Sequence, residues 1–109
     1  MAGAREENHT ALSGVPKGKG LLYLIDGETR IVDGPFDGDK LRDLLKCRFF
    51  QMVPATVGAL AGKVLLLMDE EGAADGKAPN PRAEEAFGDQ VYGGRFQGHL
   101  LVLHPEDLE

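Results

Sequence analysis

Two unbroken apolar runs stand in the C-terminal half of the chain, Val64–Met68 and Leu100–Leu103. Neither run alternates with polar residues. An apolar run of this length without alternation is typical of a strand that is buried on both faces of a sheet. We therefore predict that the two runs lie side by side in the middle of one sheet.

A short helix is predicted between the two runs, beginning at Asn80-Pro81. The side chain of Asn80 can accept from the free N–H groups of a first helical turn, and Pro81 at the first helical position gives up no needed donor. The apolar positions recur at helical spacing and form one narrow face: Ala83, Ala86 and Phe87. We expect this helix to lie across the two strands and Gly88 to close it in a left-handed cap.

The N-terminal half carries a hairpin signal at Asp26-Gly27. This pair separates the apolar runs Leu21–Ile25 and Thr29–Val32. Because Asp and Gly both tolerate a positive φ, an Asp-Gly pair between apolar runs favours a tight turn that joins two antiparallel strands. We therefore predict a hairpin here.

A second amphipathic helix is indicated by Leu41, Leu44 and Leu45, which recur at helical spacing among charged residues. The stretch Arg48–Pro54 follows it. The aromatic and β-branched residues of this stretch and its final proline favour a strand, although its apolar residues also fit an extension of the helix. We interpret the stretch as a strand, and we expect it to lie at an edge of the sheet.

Together these elements predict an α+β fold, a single small domain whose sheet is mostly antiparallel or mixed, with about five short strands and two short helices. We expect residues 1–19 to form a flexible leader, residues 20–104 to form the domain and residues 105–109 to form an acidic tail. Residues 55–63 are predicted to form a turn, and the paired glycines within residues 91–94 are predicted to break a strand-like stretch.

The charge and cysteine content narrow the classes of partner. The chain holds 12 basic and 18 acidic residues, which give a formal net charge of −6. An acidic surface repels a phosphate backbone, so we expect no nucleic-acid partner. The single cysteine excludes an internal disulfide and favours a reducing compartment. We find neither a signal-like segment nor an apolar run long enough for a membrane, so the expected location is cytoplasmic.

An acidic turn follows the first apolar run, and carboxylate oxygens are the ligands that Mg²⁺ and Ca²⁺ prefer. The candidate ligands are Asp69, Glu70 and Asp75. Their spacing is not that of an EF-hand loop, and several acids at a strand end commonly form a solvated turn that keeps the protein soluble. We favour the solvated turn, and we predict no metal and no cofactor.

Cys47 lies between two basic residues, Lys46 and Arg48. Neighbouring cations lower the pKa of a thiol, as a cysteine nucleophile requires. A lone cysteine at the end of an amphipathic helix is nevertheless more often a small core residue. His99 and His104 are an odd number of positions apart, so in an unbroken strand they face opposite sides and do not share a proton or a metal. We therefore predict no catalytic residue.

The order of elements in the second half resembles the small family catalogued as domain of unknown function three-eight-four-six, which occurs in phages, plasmids and bacteria and has relatives in algae. The shared pattern is an apolar strand, the acidic turn Asp69–Gly72, a short loop, Asn80–Ala83, and a second apolar strand preceded by a glycine. A strand that ends at a proline before the acidic turn is also similar, here Phe50–Pro54. The resemblance covers roughly residues 21–103 and implies the fold of that family, but no activity.

The chain departs from this family pattern in two places. Cys47-Arg48 stand where a glycine pair usually follows the first helix, and Glu84 stands where a threonine is usual. These replacements argue against a ligand-binding role at these positions.

We expect a non-enzymatic binding or protein-interaction module that self-associates as a homo-oligomer or binds another protein. The sequence contains no nucleophile and base in a recognisable arrangement, no metal-ligand spacing and no phosphate-binding loop. The candidate interaction residues lie in the predicted edge strand: Phe49, Phe50 and Met52. The alternatives are a small cation-dependent enzyme that uses the acidic turn and an acidic phage-style inhibitor that mimics DNA.

Overall fold

The computed structural model describes residues 15–55, 62–90 and 95–108. Within these ranges five strands form one sheet, and one helix packs on each of its faces. The strands are β1 (Lys19–Tyr23), β2 (Thr29–Asp33), β3 (Phe50–Pro54), β4 (Leu65–Asp69) and β5 (Leu100–Leu103). The helices are α1 (Gly38–Leu45) and α2 (Pro81–Phe87), with short 3-10 turns at Gly88–Gln90 and Pro105–Asp107.

The sheet has the strand order β2-β1-β5-β4-β3, and each neighbouring pair of strands is antiparallel. The two apolar runs are β4 and β5, which pair directly, with Leu66 opposite Val102. β5 also pairs with β1, so it lies at the centre of the sheet. The predicted α+β fold is confirmed, and so is the adjacency of the two apolar runs.

The apolar runs lack alternation because the sheet is covered on both sides. Successive side chains of a strand point to opposite faces. One set packs with α2 into what we call the α2 core, which includes Leu21, Tyr23, Leu66, Met68, Ala83, Phe87, Leu100 and Val102. The other set packs with α1 into the α1 core, which includes Leu22, Phe36, Leu41, Leu45, Leu67, Leu101 and Leu103. A polar side chain at the centre of β4 or β5 would therefore be buried whichever way it pointed.

β1 and β2 form the predicted hairpin. Its loop is closed by a hydrogen bond of 2.8 Å from the Leu24 N–H to the Glu28 carbonyl. Gly27 has a positive φ of 94°, and the Asp26 carboxylate accepts from the Glu28 N–H at 2.9 Å. Asp26 and Gly27 therefore act as turn residues, as predicted, although the loop is longer than a two-residue turn.

α1 begins where the Asp37 carboxylate accepts from the Lys40 N–H at 2.8 Å, and its buried leucines face the α1 core. The helix ends at Lys46, whose backbone is left-handed with φ of 54°. The following strand, Phe50–Pro54, lies at an edge of the sheet. The prediction of an edge strand is confirmed, and the alternative of a longer helix is wrong.

α2 begins as predicted, with Asn80 as its cap and Pro81 at its first position. Ala83 and Phe87 are buried in the α2 core, so the narrow apolar face is confirmed. The left-handed cap predicted at Gly88 is wrong, because Gly88 has φ of −58° and ψ of −29°. The chain does not reverse at this glycine but tightens into a 3-10 turn, which continues the right-handed sense of the helix.

The folded part of the chain extends further toward both ends than predicted. Most of the expected leader, residues 1–19, lies outside the described residues, but Val15 is buried in the α2 core and Lys19 begins β1. Near the other end, Leu108 packs against the α1 core and forms an isolated bridge with Phe36. The segments before β1 and after β5 thus contribute to the cores.

The turn predicted at residues 55–63 and the strand break predicted at residues 91–94 fall mainly outside the described residues. In the ranges that the structure does describe, no helix is long and apolar enough to cross a membrane.

Candidate functional site

Asn80 begins the segment Asn80–Ala83, which resembles the family of unknown function, and its side chain is fully buried. Its Oδ1 accepts from the Ala83 N–H at 3.2 Å, which caps α2. Its Nδ2 donates to the carbonyls of Tyr23 and Gly98, both at 3.0 Å. Asn80 therefore joins the end of β1, the approach to β5 and the start of α2. This use of its amide is structural, and it accounts for the residue without a ligand.

Asp69, the first acid of the turn, ends β4 with a side chain that is 1% exposed. Its charge is compensated by Lys77, whose Nζ lies 2.6 Å from Oδ2, while Oδ1 accepts from the Glu71 N–H at 2.8 Å. The same Nζ donates to the carbonyls of Leu45 and Lys46 at the C-terminal end of α1, where a positive charge is favourable. The Asp69–Lys77 pair thus connects β4, the following loop and α1.

Gly72 lets this loop approach the segment before β5 very closely. A Cβ at this position would lie 2.1 Å from the Gln97 carbonyl oxygen, a distance that no side chain tolerates. The Gly98 N–H donates to the Ala78 carbonyl at 2.9 Å, and the Gln97 side chain donates to the Lys77 carbonyl at 3.2 Å. From the sequence, Gly72 was identified only as the end of the acidic turn and Lys77 was not selected at all, although the close approach at Gly72 and the ion pair of Lys77 both hold this loop in place.

The three carboxylates considered as cation ligands do not converge. Asp69 is paired with Lys77, whereas Glu70 and Asp75 are exposed and line different depressions. Within residues 15–55, 62–90 and 95–108, no group of three or more His, Cys, Asp or Glu side chains is placed to hold a metal ion. The prediction of a solvated turn therefore holds for Glu70 and Asp75, which are exposed, but is wrong for Asp69, which is buried in its ion pair with Lys77.

A small cavity of about 120 Å³ lies beside the acidic turn. Its polar lining includes Gln51, Glu70, Arg95, Gln97 and His99. Sites for small organic molecules commonly measure about 300–1,000 Å³, so a cavity of this size accommodates a few water molecules rather than a metabolite.

His99 presents a neutral ring to this cavity. Its Nδ1 accepts from the Ile25 N–H at 3.2 Å, which places the ring proton on Nε2. Burial lowers the pKa of His99, and the positive charge of Lys77 lowers it further. Because Nδ1 is occupied and Nε2 is protonated, the neutral ring has no lone pair free for a general base. His104 lies elsewhere, with its Nε2 against the Val15 carbonyl.

The expectation that neighbouring cations lower the pKa of Cys47 is wrong. Burial raises the pKa of the Cys47 thiol, and the negative charge of Asp69 raises it further. Lys77 and Arg42 act in the opposite direction, but their effect is smaller. Removal from water disfavours the thiolate more than the nearby cations favour it, so the thiol is not activated as a nucleophile.

Cys47 also lines a broad, open depression of about 690 Å³ at the C-terminal end of α1. The lining mixes both signs of charge: Arg42, Asp43, Lys46, Cys47, Arg48 and Asp75. Arg42 pairs with Asp39 at 2.6 Å, and Arg48 pairs with Glu71 at 3.0 Å. Basic residues at this end also complement the helix dipole. The depression is therefore a locally balanced charged surface rather than a site where cations converge on an anion.

β3 is an edge strand in the described part of the chain, and no residue of Phe50–Pro54 is charged. Met52 is 49% exposed and Phe49, directly before the strand, is 57% exposed. Phe50 is half-buried and packs against the α1 core, while the Arg48 guanidinium lies 5.8 Å from the centre of the Phe49 ring. An uncharged, exposed edge can accept another strand because its outward N–H and C=O groups have no strand opposite them.

The opposite edge, β2, carries charges. Arg30 pairs with Glu28 at 3.2 Å, and Asp33 pairs with Lys19 of β1, whose hydrogen bond lowers the pKa of Asp33. Ile31 is 54% exposed, much as Met52 is on β3. Charged side chains on an edge strand oppose the addition of a further strand. The two edges therefore expose similar apolar side chains, but only β2 carries charged side chains that oppose pairing with a further strand.

Comparison with known proteins assigns no function to this fold. No family model, curated protein or solved structure matches the chain. The resemblance to the family of unknown function stays a prediction, carried by Asp69–Gly72 and Asn80–Ala83.

Proposed function

We propose that this protein is a non-enzymatic interaction module that self-associates through its β3 edge. The observation that carries the proposal is the exposed, uncharged strand Phe50–Pro54 at the end of the sheet, together with the exposed side chains of Phe49 and Met52. Burial of apolar surface contributes about 25 cal/mol per Å², and a paired strand adds backbone hydrogen bonds. A partner strand that pairs with this edge would therefore gain stability both from buried apolar surface and from backbone hydrogen bonds.

The chemistry-bearing side chains of the described residues support an interaction role rather than catalysis. Asn80 and Asp69 are used by the fold, His99 is neutral with its acceptor nitrogen occupied, and burial raises the pKa of Cys47. In this part of the chain these groups do not combine into an activated nucleophile with its base. The single cysteine supports a reducing, cytoplasmic location.

The test is the mass of the purified protein in size-exclusion chromatography with light scattering over a range of concentrations. The native chain should approach twice its 11.7 kDa mass as its concentration rises. Met52→Lys places a charge on the edge and should weaken association at least about tenfold, which corresponds to about 1.4 kcal/mol.

The matched control is Ile31→Lys on β2, a residue of similar exposure, and it should leave association unchanged. A native chain that stays monomeric at millimolar concentration would contradict self-association. Equal weakening by the two variants would contradict the assignment of the contact to β3.

A further inference from the structure

Among residues 15–55, 62–90 and 95–108, no strand lies beyond β3, and the backbone of β3 turns N–H and C=O groups away from β4 at alternate residues. The Glu70 N–H donates to the Phe49 carbonyl at 3.0 Å, and the Ala55 N–H donates to the Val64 carbonyl at 3.2 Å. Directly bonded positions alternate along an antiparallel pair, so the odd-numbered residues of β3 point their N–H and C=O groups toward β4. The even-numbered residues therefore point theirs toward the open edge.

Phe50, Met52 and Pro54 are these even-numbered residues. We propose, resting on the proposed function, that a second copy of the chain adds its β3 to this edge in antiparallel orientation, with a two-fold axis at Gln51. In that register Phe50 of each copy is opposite Met52 of the other. Every outward N–H and C=O of Phe50 and Met52 then has a partner, and the two sheets become one continuous sheet.

Pro54 favours the register with its axis at Gln51 over the symmetric register with its axis at Met52. An axis at Met52 would place Phe50 opposite Pro54 of the second copy. Because proline has no N–H, the Phe50 carbonyl of each copy would be left without a donor. The axis at Gln51 moves Pro54 beyond the bonded residues and avoids this loss.

The axis at Gln51 also pairs the apolar side chains of the edge. Phe50 meets Met52 of the second copy on the face that carries α1. None of these residues is charged, so the net charge of −6 on each copy is not concentrated at the contact. The edge is thus complementary to itself, which is what a two-fold contact between identical chains requires.

Disulfide trapping distinguishes the two registers. In a Cys47→Ser background, Gln51→Cys places two thiols at the proposed axis, where the Cα atoms of a non-hydrogen-bonded pair are about 4.5 Å apart and within reach of a disulfide. Met52→Cys in the same background places the Cα atoms of its two cysteines beyond the limit of about 7 Å. Under mild oxidation, the Gln51→Cys chain should form cross-linked dimer on the order of tenfold faster than the Met52→Cys chain, since the latter needs backbone movement.

Ile31→Cys on β2, again with Cys47→Ser, measures cross-linking by random collision and should be as slow as Met52→Cys. Faster cross-linking of Met52→Cys than of Gln51→Cys in a dimeric chain would overturn the register while leaving association through β3 in place. Slow cross-linking of all three variants in a dimeric chain would also overturn it. A native chain that is monomeric by light scattering would overturn the proposed function as well, and would leave the edge to a strand from a different protein.

Discussion

The segment Asp69–Asn80 and the edge strand Phe50–Pro54 differ in the direction of their polar groups. The first segment holds the residues that resemble the family of unknown function. Asp69 is linked to α1 through Lys77, and Asn80 donates to the end of β1 and to the approach to β5. The second holds no charged side chain and no motif, but half of its backbone groups face outward. The comparison teaches that the most conspicuous residues of a small domain can serve its folding alone, while the strand edge that we propose as the partner surface has no conspicuous residue in the sequence.

The largest effect is expected from Lys77→Met, which tests whether the Asp69–Lys77 pair stabilises the fold. The substitution leaves the Asp69 carboxylate buried without its cation, and breaking a buried pair in this way costs about 3–5 kcal/mol. We expect the free energy of unfolding in urea to fall by about 3 kcal/mol or more. Lys63→Met, at an exposed lysine, should change it by less than about 0.5 kcal/mol, and similar losses in both variants would contradict a structural ion pair.

Asn80→Ala should have the next largest effect. It removes the cap of α2, which contributes about 1 kcal/mol, and the two buried hydrogen bonds from Nδ2 to the carbonyls of Tyr23 and Gly98, at about 1 kcal/mol each. The expected loss in unfolding free energy is therefore about 3 kcal/mol. Asp37→Ala, which removes only the exposed cap of α1, should cost about 1 kcal/mol. Equal losses would mean that the two Nδ2 bonds of Asn80 do not stabilise the fold.

A smaller effect is expected from pH through His99. Since the folded state lowers the pKa of His99, the unfolded chain binds more protons below about pH 6.5, the ordinary pKa of histidine. The stability that His99 contributes is complete above that pH and is lost as the pH falls toward the lower, folded pKa. His99→Asn keeps an acceptor for the Ile25 N–H but does not titrate. Urea unfolding between pH 7.5 and about pH 5.5 should therefore show a shallower slope in the variant, and identical slopes would contradict this account.

The smallest effect on stability is expected at the edge. Met52→Lys, measured at a concentration low enough for the monomer to predominate, should change the unfolding free energy by less than about 0.5 kcal/mol, because the side chain is half exposed. The same substitution should weaken association. Met52 is therefore expected to contribute to association but little to the stability of the monomer. A loss of more than about 1 kcal/mol in the monomer would place Met52 in the core rather than on a binding surface.

Much of the fold could be predicted because its signals are local. The apolar runs that became β4 and β5, the Asp26-Gly27 turn and the cap at Asn80 each depend on a few consecutive residues. Gly88 was misjudged because a glycine after a helix permits a left-handed cap without requiring one, and here the chain continued into a 3-10 turn. Local patterns thus predicted the elements better than the way each element ends.

The contacts that define the candidate site are long-range, and sequence spacing does not reveal them. Lys77 is the only basic residue between Asp69 and Asn80 in the sequence. Its presence in this segment was the one sequence signal that Asp69, a buried acid at the end of β4, has a cation beside it. The need for Gly72 arises from Gln97, which is distant in the chain. The pKa of Cys47 was predicted in the wrong direction because its sequence neighbours were visible, whereas its burial and the approach of Asp69 were not.

The central position of β5 has a consequence for how the protein is made. The hairpin of β1 and β2 and the hairpin of β3 and β4 are complete before β5 leaves the ribosome, yet they share no strand pairing until β5 inserts between them. Until then β1 and β4 each present an apolar flank in the nascent chain, and such flanks are prone to aggregate. Assembly of this sheet therefore waits until β5 has been synthesised, and a chaperone that shields the two hairpins would act in that interval.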